Sequence, residues 1–119
     1  MQLNKRQLAK LDAWALDCAN SRLVQWLKRR YPAQCSQLGD AELLAFVVAQ
    51  RAQAASYEVK REDNVATFLD LAVMYGPGFP QQLWAADALA SKLHGPDKMA
   101  ILRARIENND VMLSSNGEA

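Results

Sequence analysis

The chain has 119 residues, half of them hydrophobic and 23% charged, which suits one domain with a real core and leaves little room for a second. Its formal net charge is only +1, far from the balance of a typical nucleic-acid binder, and no apolar run approaches the roughly 18 residues needed to cross a bilayer. The charge is uneven, however: up to Tyr31 seven basic residues (Lys5, Arg6, Lys10, Arg22, Lys28, Arg29, Arg30) stand against Asp12 and Asp17, a segment of +5 that leaves −4 for the remainder.

No apolar signal-peptide core follows the first basic residues, so a cytosolic protein is expected. Cys18 and Cys35 form no CxxC and have no histidine nearby, and in a reducing compartment they read as plain thiols. With His94 as the sole histidine, no metal site and no cofactor are expected.

In chain order the periodicity is helical almost throughout, and no stretch alternates like a half-buried strand, which predicts an all-α fold of five to six helices. Leu3, Leu8, Leu11, Ala15 and Cys18 recur at helical spacing in a first amphipathic segment. A second, "RLVQWLKRR", has Asn20 or Ser21 as a candidate cap, an apolar stripe of Leu23, Val24 and Leu27, and three cations at its C-terminal end, where the helix dipole favours them. The spacing fits either two helices here or one long kinked helix. Tyr31-Pro32 ends the run, because a residue before proline avoids the helical region.

Asp40 is placed as the N-cap of "DAELLAFVVAQRAQAA", the most regular helix in the chain. "REDNVATFLDLAVMY" follows, with Glu62 and Asp63 in its first turn and Val65, Phe68, Leu69, Ala72 and Val73 expected inside. Next comes "GPGFPQQLW". It lacks the lysine and hydroxyl of a phosphate loop and follows a helix rather than a strand. It reads instead as a helix corner: Gly76 takes a left-handed conformation, Pro77 forbids continuation, Gly78 permits the turn and Pro80 opens the next helix, with Phe79 and Trp84 packed against the two arms. That helix is predicted over "PQQLWAADALASKL", with His94 at its end. A last helix, "DKMAILRARIENN", is expected to bury Met99, Ile101, Leu102 and Ile106. The expected domain spans 1–113, and 114–119 ("SSNGEA") is expected to fray.

No catalytic constellation emerges. Glu62, Asp63, Asp70 and Asp87 read as first-turn or solvent-facing charges rather than a converging pair, and no serine has a histidine partner nearby apart from His94. An enzyme is therefore not expected. "KRR" beside Trp26 lies at a helix end, without the paired helices and basic second helix of a helix-turn-helix, so nucleic acid is not an expected partner.

The order "VQWLKRRYP", then "LGDAELLAFVVAQRAQAASYEVKREDNVATFLDLAVMYGPGFPQQLWAADAL", then "KMAILRARI" resembles a family of small helical accessory proteins encoded beside type VI secretion effectors and their adaptor chaperones. The matching positions are Leu27 to Pro32, Arg51 to Tyr57, Glu62 to Val65 and Phe68 to Ala85, within about residues 22 to 106. The chain departs from the family pattern at Trp26, at Glu58 after Tyr57, and at the corner, where prolines stand in place of acidic residues. The resemblance implies a cytoplasmic, non-catalytic co-chaperone that binds an adaptor chaperone, a secretion effector or both and helps load the effector, without membrane contact. Candidate contact residues are Trp26, Lys28, Arg29, Arg30 and Tyr31, and at the corner Tyr75, Phe79 and Trp84, since buried aromatic and arginine anchors dominate protein interfaces. Two other roles stand as alternatives: an immunity protein neutralising a toxin, and a small nucleic-acid-binding regulator.

Overall fold

The structure is a computed structural model, and it describes residues 4–108. Leu3, residues 109–113 of the expected domain and the whole expected tail 114–119 lie outside the described residues. Among the described residues there are six α-helices, one 3₁₀ turn and no strand: α1 (Lys5–Arg30), α2 (Pro32–Cys35), α3 (Asp40–Ser56), α4 (Glu62–Tyr75), the 3₁₀ turn (Phe79–Gln81), α5 (Leu83–Ala90) and α6 (Gly95–Glu107). The fold is all-α, as the periodicity predicts. Two compact units divide between Val48 and Ala49, inside α3.

In the first unit, the two segments before Tyr31 are one helix. Asn4 starts it with a capping box: its side chain accepts from the Gln7 N–H at 2.8 Å, while the Gln7 side chain accepts from the Asn4 N–H at 3.0 Å. No glycine or proline interrupts the run up to Arg30, so Asn20 and Ser21 cap nothing. Asn20 instead lies inside the helix and is buried with Leu23, Val24 and Leu27. The helix closes with the Tyr31 N–H on the Leu27 carbonyl, 2.7 Å away, and Pro32 turns the chain into α2, a single turn that the periodicity does not reveal. α2 packs on α1, and the buried Cys35 thiol donates to the Leu27 carbonyl at 3.5 Å. Asp40 is the first residue of α3 rather than its cap. The preceding Gly39 carbonyl accepts from the Leu43 N–H at 3.0 Å, and Asp40 and Glu42 remain in the first turn, where the dipole favours them.

The core of the second unit is aromatic. α4 buries Val65, Phe68, Leu69, Leu71 and Ala72. After it Gly76 adopts φ +91°, a value L side chains rarely reach, while Gly78 at φ −86° needs no special freedom. The chain then tightens into the 3₁₀ turn instead of a helix. Phe79 turns back onto Phe68 (ring centroids 4.8 Å apart) and Trp84 stacks on Phe79 at 5.9 Å. Gln82 is extended and fastens this geometry, accepting from the Trp84 indole N–H at 2.5 Å while donating to the Tyr75 carbonyl at 3.4 Å. α5 therefore begins at Leu83, not at Pro80, and ends at Ala90. His94 does not close that helix: it is exposed and precedes α6, its carbonyl accepting from the Lys98 N–H at 3.0 Å.

α6 packs on α4 and α5. Met99 and Leu102 are buried as expected, and Ile101 and Ile106 only partly. Lys98 is the surprise: it is 3% exposed, and its ammonium donates to the carbonyls of Tyr57 and Leu89, each 2.8 Å away.

Candidate functional site

Five of the eight expected contact residues gather where α1 ends. A spacing of four residues sets Arg30 one turn above Trp26 on the same helix face, and the guanidinium carbon lies 5.5 Å from the Trp26 ring and 5.8 Å from the Tyr31 ring. Both rings are half-buried and Arg30 is exposed, so this is a cation–π cluster at the surface. Lys28 pairs with Asp40 of α3, and Arg29 is exposed.

The remaining three lie in the second unit, and two of them are not surface residues. Phe79 and Trp84 are 0% and 1% exposed, which corrects their placing as contacts: the corner needs both rings to fill the space between its arms. Tyr75 is half-buried, edge-on to Trp84 with centroids 5.1 Å apart. Four other residues of the second unit make contacts within it. Arg51 and Glu62 meet in a two-pronged ion pair of 2.6 and 2.7 Å, and Tyr57 and Phe68 extend the aromatic chain at 6.5 Å.

The first half of α1 is exposed in a way that periodicity does not reveal. Every residue from Asn4 to Asp17 is exposed, including four large apolar side chains: Leu8 (47%), Leu11 (48%), Trp14 (66%) and Leu16 (46%). The stripe of Leu8, Leu11, Ala15 and Cys18 is helical as expected, but it faces solvent, and Trp14 beside it carries no expectation from the sequence. A signal was available. At about 100° per residue, the buried residues of the same helix (Asn20, Leu23, Val24, Leu27) project roughly opposite to that stripe. Leu16 projects with the buried residues and is exposed as well, so the helix is left uncovered on every side up to Asp17.

Charges elsewhere serve the fold. Asp63, held by the Arg61 guanidinium at 2.7 Å on both prongs, has its carboxyl pulled down to about 2. Asp87 is lowered by its hydrogen bonds to Arg105, whose guanidinium also reaches the Trp84 carbonyl.

Among the described residues no group of three or more His, Cys, Asp or Glu side chains is placed to hold a metal ion. Two hollows among the described residues are open to solvent: one of about 180 Å³ is lined by Thr67, Asp70, Met74, Arg103, Ile106 and Glu107, and one of about 300 Å³ by Lys28, Pro32, Cys35, Leu38 and Asp40. No described helix is long and apolar enough to cross a membrane. Compared with known proteins, the chain matches no family model, no curated protein and no solved structure.

Proposed function

We propose that the protein is a non-catalytic protein-binding factor whose binding element is α1. The observation that carries this reading is the fully exposed half of α1 with its four large apolar side chains. Large apolar side chains exposed together on one helix are rarely left bare on a protein that acts alone, and tryptophan and arginine beside them are the usual interface anchors. The Trp26, Arg30 and Tyr31 cluster extends the same element toward its C-terminal end.

The resemblance described above supplies the setting: a co-chaperone that holds an adaptor chaperone and helps it load a type VI secretion effector. The test is co-expression of the tagged chain with the adaptor chaperone and effector encoded at its own locus, followed by size-exclusion chromatography and identification of the complex. A complex that persists through the column and is lost on combining Arg29→Glu with Arg30→Glu, without loss of helicity, supports the reading. A complex with a toxin domain alone makes the protein an immunity factor instead. Recovery of nucleic acid only, with steep salt dependence, overturns both.

A further inference from the structure

The side of α1 that carries the exposed stripe continues beyond it. Taking about 100° per residue, Arg22 and Arg29 project within roughly 20° of Leu11 and within roughly 40° of Cys18. They lie near the midline of the same face, about 100–160° from the buried Leu23, Val24 and Leu27. The face is therefore a seam of two parts, an apolar stretch from Leu8 to Cys18 followed by a cationic stretch at Arg22 and Arg29. Both arginines are exposed, and neither makes an ion pair among the described residues.

Three kinds of occupant are conceivable, and charge separates them. A bilayer surface takes an amphipathic helix whose cations flank the apolar face; here the guanidiniums stand in the middle of it, where lipid would have to cover them. Leu16, as exposed as Leu8, projects about 120–140° from the two arginines and so lies off the face they define. A second copy of the chain, pairing α1 with α1 in either direction, would bring two +5 helices together, which like-charge repulsion opposes. Among the acidic residues of the second unit, Glu62, Asp63 and Asp87 are already engaged with Arg51, Arg61 and Arg105. A helix of another protein, apolar along one half of its seam and carboxylate-bearing along the other, meets both parts: leucines against Leu8, Leu11 and Trp14, and glutamates or aspartates forking onto Arg22 and Arg29.

Resting on the protein-binding reading above, we infer that α1 docks an acidic amphipathic helix of its partner, in register along the seam from Leu8 to Arg29. The pairing is salt-sensitive, because its cationic half lies open to solvent.

The test uses the full chain and a synthetic probe: a helical peptide of about four heptads with leucine at a and d and glutamate at e and g. The control is the same peptide with lysine replacing glutamate. Binding is measured by calorimetry at low and high salt, with sedimentation of the chain alone and flotation with vesicles of phosphatidylcholine containing about one-third phosphatidylserine. The expected result is at least about tenfold tighter binding of the glutamate peptide than of the lysine peptide. A loss of about tenfold or more is expected on combining Leu11→Ala with Trp14→Ala, and loss of the glutamate preference on combining Arg22→Gln with Arg29→Gln. These positions are exposed, so circular dichroism should show all variants folded; Trp14→Ala alone serves if the pair is not.

Equal affinity for both peptides, binding to neither, dimerisation of the chain through α1, or vesicle binding without peptide binding each overturns the inference. Running the locus-encoded adaptor chaperone in parallel keeps the two readings apart. If the chaperone binds and neither the variants nor the peptide matter, the docking inference alone fails. If the peptide binds as stated and the chaperone does not, the proposed setting fails and the docking inference stands.

Discussion

Lys98 of α6 reaches back to the carbonyl of Tyr57, 2.8 Å away, and the same ammonium serves the carbonyl of Leu89. Tyr57 directly follows the last residue of α3, and Leu89 is in the last turn of α5. Carbonyls at helix ends have no partner within their own helix and gather negative potential. One buried cation thus closes two helix termini in the second unit.

Lys98→Met keeps the buried stem and removes the ammonium, leaving two carbonyls short of a donor. The expected loss is about 2–4 kcal/mol of unfolding free energy, the scale of hydrogen bonds to a charged group plus the unsatisfied acceptors. Urea unfolding followed by circular dichroism measures it, and a loss below about 0.5 kcal/mol would show that the contacts do not hold the unit together.

Gly95 begins α6 against the loop after α3. A β-carbon there would stand 2.3 Å from the Glu58 carbonyl oxygen and 3.1 Å from the Val59 Cα, both backbone atoms that cannot rotate away. Gly95→Ala is therefore expected to destabilise by about 1–3 kcal/mol through overpacking. Gly78→Ala is the contrast, since nothing lies within 4 Å and its φ of −86° suits alanine; it should be neutral or stabilise by up to about 1 kcal/mol. Thermal melts of the two variants in parallel decide it, and equal effects would contradict the close approach.

The Arg61–Asp63 pair gives a pH prediction. The folded carboxyl of Asp63 is depressed to about 2 from 3.8, chiefly by its hydrogen bonds to Arg61. A depressed acid stabilises the fold above its unfolded value and loses that contribution as pH falls through the folded one. The contribution from Asp63 is thus expected in full above about pH 4 and to fade toward pH 2. Asp87, lowered by Arg105, changes stability in the same direction. Carbon-13 titration of the side-chain carboxyls reads the first group directly, and Arg61→Ala should return Asp63 to the ordinary aspartate range. An Asp63 midpoint that Arg61→Ala leaves unmoved would refute the pairing in solution.

The three tryptophans sort by exposure. Trp14 is 66% exposed, Trp26 half-buried beneath Arg30, and Trp84 1% exposed. In variants retaining one tryptophan each, with phenylalanine at the other two positions, acrylamide should quench Trp14 most and Trp84 least. Arg30→Ala should raise the quenching of Trp26 and cost about 0.5–1 kcal/mol at most, the scale of an exposed cation–π contact. A Trp14 as protected as Trp84 would mean that α1 is covered in the isolated protein.

The amino-acid sequence by itself determined the element types and most of their inward faces. The 3.6-residue period marks α4 and its buried Val65, Phe68, Leu69 and Ala72, and it marks Leu23, Val24 and Leu27 of α1, because both depend on spacing within one helix. The glycine and proline signals located the corner, since φ restrictions act on single residues. What the spacing does not contain is which of two apolar faces finds a partner, and that was decided only in three dimensions. Leu8 and Leu11 obey the same period as Leu23 and Leu27, yet they stay in solvent because the whole stretch from Asn4 to Asp17 is left exposed, on every side of the helix. Trp84 and Phe79 go inside because the turn at Gly76 and Gln82 folds their rings onto Phe68 and Tyr75. Lys98 lies inside because carbonyls far apart in sequence converge on it, a pairing that no local pattern encodes.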